Sequence, residues 1–258
     1  MSSNNTIIAF LTKVPNSGLI KIANELTNYF KVFIFIDDNN YNIDNNNTKI
    51  NYIQIDNDLC KNNGYRYSME PYLCNINNNK INSPLHITSY DKFFYYFTLI
   101  NLNYEYIWII EDDVFIPNIN NIIDLNNKSD DNDLVCANNF KGTLEDAKNN
   151  IWFWDYAMKI FDEPAYCSMV CACRLSKNLM LEIKNVINKL KFIPLHEFLY
   201  NTIAYKKNLK VLCPPELSSI VYRKYWTIED YKENPKNLFH PLKDYDKHEI
   251  YRNELLYI

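Results

Sequence analysis

Three consecutive acids, Glu111, Asp112 and Asp113, lie within the run Tyr106-Ile-Trp-Ile-Ile-Glu-Asp-Asp-Val-Phe-Ile-Pro117. Side chains alternate along an extended chain, so Glu111 and Asp113 share one side and Asp112 takes the other. Two carboxylates about 4 Å apart repel by ~4 kcal/mol at an effective dielectric near 20. Such a cluster needs solvent, protons or a cation. Carboxylate oxygens suit Mg²⁺ or Mn²⁺, and in open α/β sheets ligands bind beyond the carboxyl ends of the strands. The chemistry predicted here is a divalent-metal site that holds a phosphorylated ligand. The plain alternative is a solvated acidic turn closing a core strand.

The elements around the acids must make that strand end. Ile107 to Ile110 is apolar and rich in β-branched residues, which predicts a strand buried on both faces, as in a parallel sheet covered by helices. The chain opens β-α-β: a strand over Thr6 to Leu11, a helix over Leu19 to Tyr29 and a strand over Lys31 to Ile36. Thr12 and Lys13 end the first strand, and Asp37 and Asp38 end the second. Asp37 or Asp38 could accept hydrogen bonds from a ribose or base, or be an ordinary turn acid. A helix is predicted from Ser89 to Leu102, with Ser89 as N-cap and Phe93, Phe94, Phe97 and Ile100 inward. Its Lys92 runs against the helix dipole, which hints at a phosphate or carboxylate partner; a solvated lysine is the alternative.

Further strands are predicted at Ile50 to Ile55, Asp133 to Ala137, Ser168 to Arg174 and Lys210 to Cys213. Ser176 should cap a helix over Lys177 to Leu190, and another helix should open at His196-Glu197 and run to about Lys207. Tyr65 to Tyr72, with Arg66, reads as a loop or short helix. Trp152-Phe-Trp-Asp-Tyr156 reads as an aromatic loop, and its Trp152 and Trp154 either stack on sugar rings or pack in the core. From Trp226 the chain is polar, which predicts a domain over 1–225 and a C-terminal extension over 226–258 packed across it.

Bulk properties narrow the function. The 258 residues are 47% hydrophobic and 15% aromatic, enough for a full core. A net charge of −4 argues against a nucleic-acid binder driven by bulk charge. Gly18, Gly64 and Gly142 are the only glycines, so neither a G-x-G-x-x-G fingerprint nor a Walker A loop is possible. The seven cysteines form no CxxC pair; Cys167, Cys171 and Cys173 cluster without the second half of a zinc site. That pattern predicts reduced, buried thiols in a cytosol-like compartment. The Met-Ser-Ser-Asn-Asn start predicts no signal peptide, and no stretch predicts a membrane span. Asparagine runs such as Asn45-Asn46-Asn47 predict loop padding and an AT-rich genome.

Taken together, the acidic motif at a core strand end and the Rossmann-like half before it resemble the GT-A class of nucleotide-sugar glycosyltransferases. A closer resemblance is to a group of GT-A-like proteins from algae, protists and large viruses. It is carried by Tyr90-Asp-Lys-Phe-Phe-Tyr-Tyr-Phe97, Trp108-Ile-Ile-Glu-Asp-Asp-Val-Phe115, Ser168-Met-Val-Cys-Ala-Cys-Arg-Leu-Ser176 and His240-Pro-Leu-Lys243. The resemblance implies a Rossmann-like mixed sheet flanked by helices, with Mn²⁺ or Mg²⁺ as cofactor. It implies a UDP- or GDP-sugar donor, a glycan or protein acceptor, and a cytoplasmic setting (the host's, if the source is viral). Asp113 would be the direct metal ligand, with His240 returning from the C-terminal region as a second. Glu111 would lie near the ribose or a metal-bound water. Asp112 would contact the nucleotide or brace the turn, and Lys243 would neutralise the diphosphate. Glu197 would be the catalytic base, with His196 its rival, and Trp152 and Trp154 the acceptor platform. Thr12, Lys13, Asp37 and Lys92 complete the expected donor site. Two other readings remain: a nucleotidyltransferase-like phosphoryl enzyme, and a non-catalytic sugar-nucleotide-binding protein.

Overall fold

The structure is a computed structural model and describes residues 5–43, 49–65, 89–99, 103–129, 131–149 and 153–255. Its first half contains β1 (Thr6–Thr12), α1 (Ser17–Leu26), β2 (Lys31–Ile36), β3 (Asn51–Gln54), α2 (Asn57–Asn62), α3 (Ser89–Leu99) and β4 (Tyr106–Glu111). Next come α4 (Ile119–Lys128), β5 (Leu134–Val135), β6 (Phe140–Lys141), α5 (Leu144–Lys148), α6 (Trp154–Phe161), β7 (Tyr166–Cys167) and β8 (Ala172–Ser176). The chain closes with α7 (Lys177–Leu190), α8 (His196–Lys206), β9 (Val211–Leu212), α9 (Ile228–Glu233) and α10 (Tyr245–Leu255).

A seven-stranded mixed sheet, in the order β3-β2-β1-β4-β8-β5-β9, carries helices on both faces. The apolar runs divide residue by residue between two cores, as period-2 alternation requires. Ile7, Ala9, Leu11, Ile107 and Ile109 face one core, where α3, α7 and α8 supply Phe93, Ile183 and Phe198. Ile8, Phe10, Trp108 and Ile110 face the other, where α1 and α4 supply Ile22, Leu26 and Ile122.

The β-α-β opening is present, with β1 parallel to both β2 and β4. β4 is not flanked by parallel strands on both sides, however: β8 pairs with it antiparallel, Ile110 opposite Ala172 and Tyr106 opposite Ser176. A strand covered on both faces is apolar whichever way its neighbour runs, so composition did not reveal the reversal. The predicted strand over Ser168 to Arg174 is displaced and spans Ala172–Ser176. Ser168 and Cys171 are buried too, but their backbone serves loops: the Ser168 amide donates to the Glu197 carbonyl, and the Cys171 carbonyl accepts from the Glu111 amide. The stretch around Trp154 is helical rather than a loop, because α6 begins there and turns Trp154, Tyr156, Ala157 and Phe161 inward. Ser176 caps α7 by accepting from the Leu179 amide. Ile100, Arg66 and Trp152 lie outside the described residues.

The C-terminal segment is tied to the acidic turn by backbone pairing. Phe115 and Phe239 exchange amide–carbonyl bonds of 2.8 and 3.0 Å, and the Leu242 amide donates to the Asp113 carbonyl at 2.8 Å. A small core of Phe115, Tyr231, Phe239 and Leu242 fixes this junction, with Trp226 and Tyr251 packed on it. α10 also reaches α1, where Arg252 donates to the Gly18 carbonyl at 3.2 Å. No described helix is long and apolar enough to cross a membrane.

Candidate functional site

Pairing of β1 with β4 brings the two strand ends level, Leu11 opposite Glu111. The Asp112 amide then donates to the Leu11 carbonyl at 3.0 Å, and the Thr12 hydroxyl donates to Asp112 Oδ2 at 2.5 Å. Asp112 also has a side-chain hydrogen bond with Tyr245 of α10, and burial holds the Tyr245 phenol well above its usual range. Asp112 therefore braces the turn, as one of its two expected roles. Thr12, expected at the donor site, is buried and serves that brace instead.

The other two acids behave differently. Burial, and then the Asp113 charge, push the Glu111 carboxyl up to about 7. His240 Nε2 stands 3.4 Å from Asp113 Oδ1, a buried oxygen that lacks a hydrogen bond of good geometry. His240 Nδ1 lies 2.8 Å from the Val221 carbonyl. A carbonyl only accepts, so Nδ1 carries the proton and Nε2 is directed at the acids. Burial opposes the charged imidazole, but Asp113 and Glu111 outweigh it and raise the His240 pKa. Asp113 and His240, 127 positions apart in the sequence by their numbering, thus meet as the resemblance implied.

Cys171 also reaches this point. One donor atom each from Glu111, Cys171 and His240 lie within 4.8 Å of one another. Sequence reasoning placed Cys171 in the core, and it is buried. The available signal was its place in the motif Ser168 to Ser176, which antiparallel pairing with β4 carries to the acids.

These groups line a cleft of about 870 Å³. Its rim carries Arg223, Lys224, Lys243 and Lys247. Lys243 was expected; the other three were not, although Tyr222-Arg-Lys-Tyr-Trp226 is a visible basic and aromatic run. Lys224 pairs with Asp230 at 3.2 Å and Lys247 with Asp244 at 3.2 Å. His196 and Glu197, at the start of α8, both open on the cleft. A smaller pocket of about 390 Å³ adjoins it, sharing Met169 and Tyr222, and Trp154 lines that pocket. Trp154 is nonetheless largely buried and packs edge-on against Phe198, with ring centroids 4.9 Å apart. A Cβ on Gly142 would meet its ring at 2.2 Å, so that glycine is what admits the indole.

Part of the expected donor site is used otherwise. Lys92 donates to Asp37 Oδ1 at 2.6 Å and also bonds the Asn57 side chain. Both charges are buried, and Asn57 also donates to Asp37 at 3.0 Å. Asp37 and Lys92 form a structural ion pair rather than ligand contacts; the expected partner of Lys92 is a carboxylate of this chain. Lys13 is exposed and does not line the cleft.

The donor set fits a divalent cation: carboxylates that pair with no lysine or arginine among the described residues, an imidazole in a ligating tautomer, and a buried carboxylate oxygen without a hydrogen bond of good geometry. No family model matches this sequence, and no curated protein matches it.

Proposed function

We propose that this protein is a metal-dependent glycosyltransferase of GT-A type. It would move a sugar from a UDP- or GDP-sugar to a hydroxyl on a glycan or protein. The observation that carries the reading is the meeting of Glu111, Asp113 and His240 at the end of the central strand, beneath a cleft with a cationic rim. Glu111, Asp113 and His240 would hold the cation, Mn²⁺ or Mg²⁺ by the resemblance. When bound, that ion supplies Lewis-acid stabilisation of charge on the leaving diphosphate.

The chain's own residues divide the remaining work. Arg223 and Lys243 offer positive charge where the diphosphate departs. Glu197 is placed to take the proton of the acceptor hydroxyl, and His196 beside it is the rival base. Both side chains line the cleft. Asp112, Thr12 and Tyr245 keep the turn rigid, so that the acids hold their aim. Trp154 contributes an edge to the acceptor pocket rather than an open stacking platform.

The test is a thermal-shift and calorimetric screen of UDP- and GDP-sugars with and without Mn²⁺. Metal-dependent binding of one donor, lost in Asp113→Ala, is the expected result. Absence of any metal-dependent nucleotide binding in the wild type would overturn the reading. Release of pyrophosphate from a nucleoside triphosphate would assign a nucleotidyltransferase instead.

A further inference from the structure

Cys171 sets this cluster apart from a site built only of oxygens and imidazole. Its thiol is buried beside the Glu111 carboxylate. Its sulfur, a Glu111 oxygen and a His240 nitrogen are mutually within 4.8 Å, a span that small side-chain rotations can close around an ion. Asp113 Oδ1, buried and without a good hydrogen bond, stands 3.4 Å from His240 Nε2, beside this triad rather than in it. Three donors of N, O and S type with one position left open are what a catalytic zinc-class ion takes, whereas Mg²⁺ prefers oxygen ligands in near-ideal octahedral array. The local frame is also fixed. The Glu111 amide is bonded to the Cys171 carbonyl at 2.9 Å, and the Val221 carbonyl holds the imidazole. These are the supports that keep ligands oriented.

We propose that Cys171 is a metal ligand, and that its thiolate makes the site select Zn²⁺ or Co²⁺ over Mg²⁺ and Mn²⁺. The inference rests on the metal site of the preceding section and replaces Mn²⁺ or Mg²⁺, which only the resemblance implied, as its ion. On binding, the sulfur–metal bond replaces the S–H bond, and the thiol proton leaves to solvent. No electrons are transferred.

Cobalt(II) is the probe. Metal-free protein titrated with Co²⁺ should develop a sulfur-to-cobalt charge-transfer band in the near ultraviolet. Zn²⁺ should bleach the band, and excess Mg²⁺ should leave it. In Cys171→Ser the band should vanish, and Zn²⁺ affinity should fall by more than the roughly 10–100-fold typical of losing an outer-shell partner. Cys167→Ser and Cys213→Ser should keep the band. Co²⁺ bound without the band in the wild type, or a band that survives in Cys171→Ser, overturns the proposal. If Cys171→Ser does not fold, Cys171→Ala, read against the two control variants, decides. Loss of the band in either control overturns the proposal. Mn²⁺-dependent donor binding without a thiolate band would sink the Cys171 assignment and leave the glycosyltransferase reading standing. Failure of all metal and nucleotide binding would sink both.

Discussion

Two charged clusters stand at the same edge of the sheet, and only one is left open. At the end of β2, Asp37 meets Lys92 at 2.6 Å, both nearly sealed from solvent, with Asn57 completing the contacts. At the end of β4, no lysine or arginine among the described residues pairs with Glu111 or Asp113; a histidine stands 3.4 Å from Asp113. The first cluster is neutral and finished. The second holds negative charge that burial makes costly, and it faces a cleft. Acids at strand ends look alike in sequence, and what separates a structural pair from a binding site is whether the fold itself supplies the counter-charge.

The sharpest way to break this comparison is Asp113→Ala. Donor turnover should fall by about 10²–10³-fold or more, on the scale of losing a key electrostatic contact. The fold should survive, since the variant relieves repulsion on Glu111. Activity assays beside circular dichroism check both halves, and wild-type turnover in that variant would erase the distinction between the clusters.

The mirror experiment is Lys92→Met. It leaves Asp37 buried with the Asn57 hydrogen bond but no counter-charge, so stability should drop by about 3–5 kcal/mol. Adding Asp37→Asn should restore part of the loss. Urea unfolding measures both. A Lys92 variant that kept its stability but lost donor binding would move the donor site back to this edge.

The open cluster should also show in the pH dependence of the metal-free protein. Glu111 is pushed up to about 7 and His240 is raised as well, so the folded state holds protons that the unfolded chain releases. Stability therefore falls as pH rises from about 4.5 through 7, by on the order of 3 kcal/mol from Glu111, with His240 acting in the same direction. Thermal unfolding in a chelator between pH 5 and 8 reads this slope, and a saturating divalent ion should flatten it. A slope of opposite sign would mean that Glu111 already has its counter-charge.

The smallest effects belong to the rim. Arg223→Ala or Lys243→Ala should weaken nucleotide-sugar binding by about 1 kcal/mol each, roughly fivefold, and more at low salt. Isothermal titration at two ionic strengths checks this. Equal loss in Lys13→Ala, which lies outside the cleft, would show that bulk charge rather than placement matters.

The strands of the central sheet and the helices α1, α3, α7 and α8 were legible because burial leaves a local periodic trace. Ile107 to Ile110 had to be a covered strand, and the acids after it had to lie at its carboxyl end. Ser176 announced α7 by its position before the apolar period. Other assignments failed where the trace is the same for two outcomes. Ser168, Val170 and Cys171 are buried as in a strand, yet the backbone bonds of this stretch run to Glu111 and Glu197. Trp154 is aromatic as a platform would be, yet Gly142 lets it sink into the core.

The sequence by itself determined which residues are buried and where the acids cluster, since both depend on neighbours within a few positions. Only the tertiary structure decided which charges are matched. Lys92 finds Asp37 across 55 positions, Cys171 arrives because β8 runs antiparallel to β4, and His240 returns through backbone pairing with Ile220 beside the Phe115–Phe239 bridge. Electrostatic partnership falls off over a few ångströms in space, and the order of residues along a chain does not carry that distance.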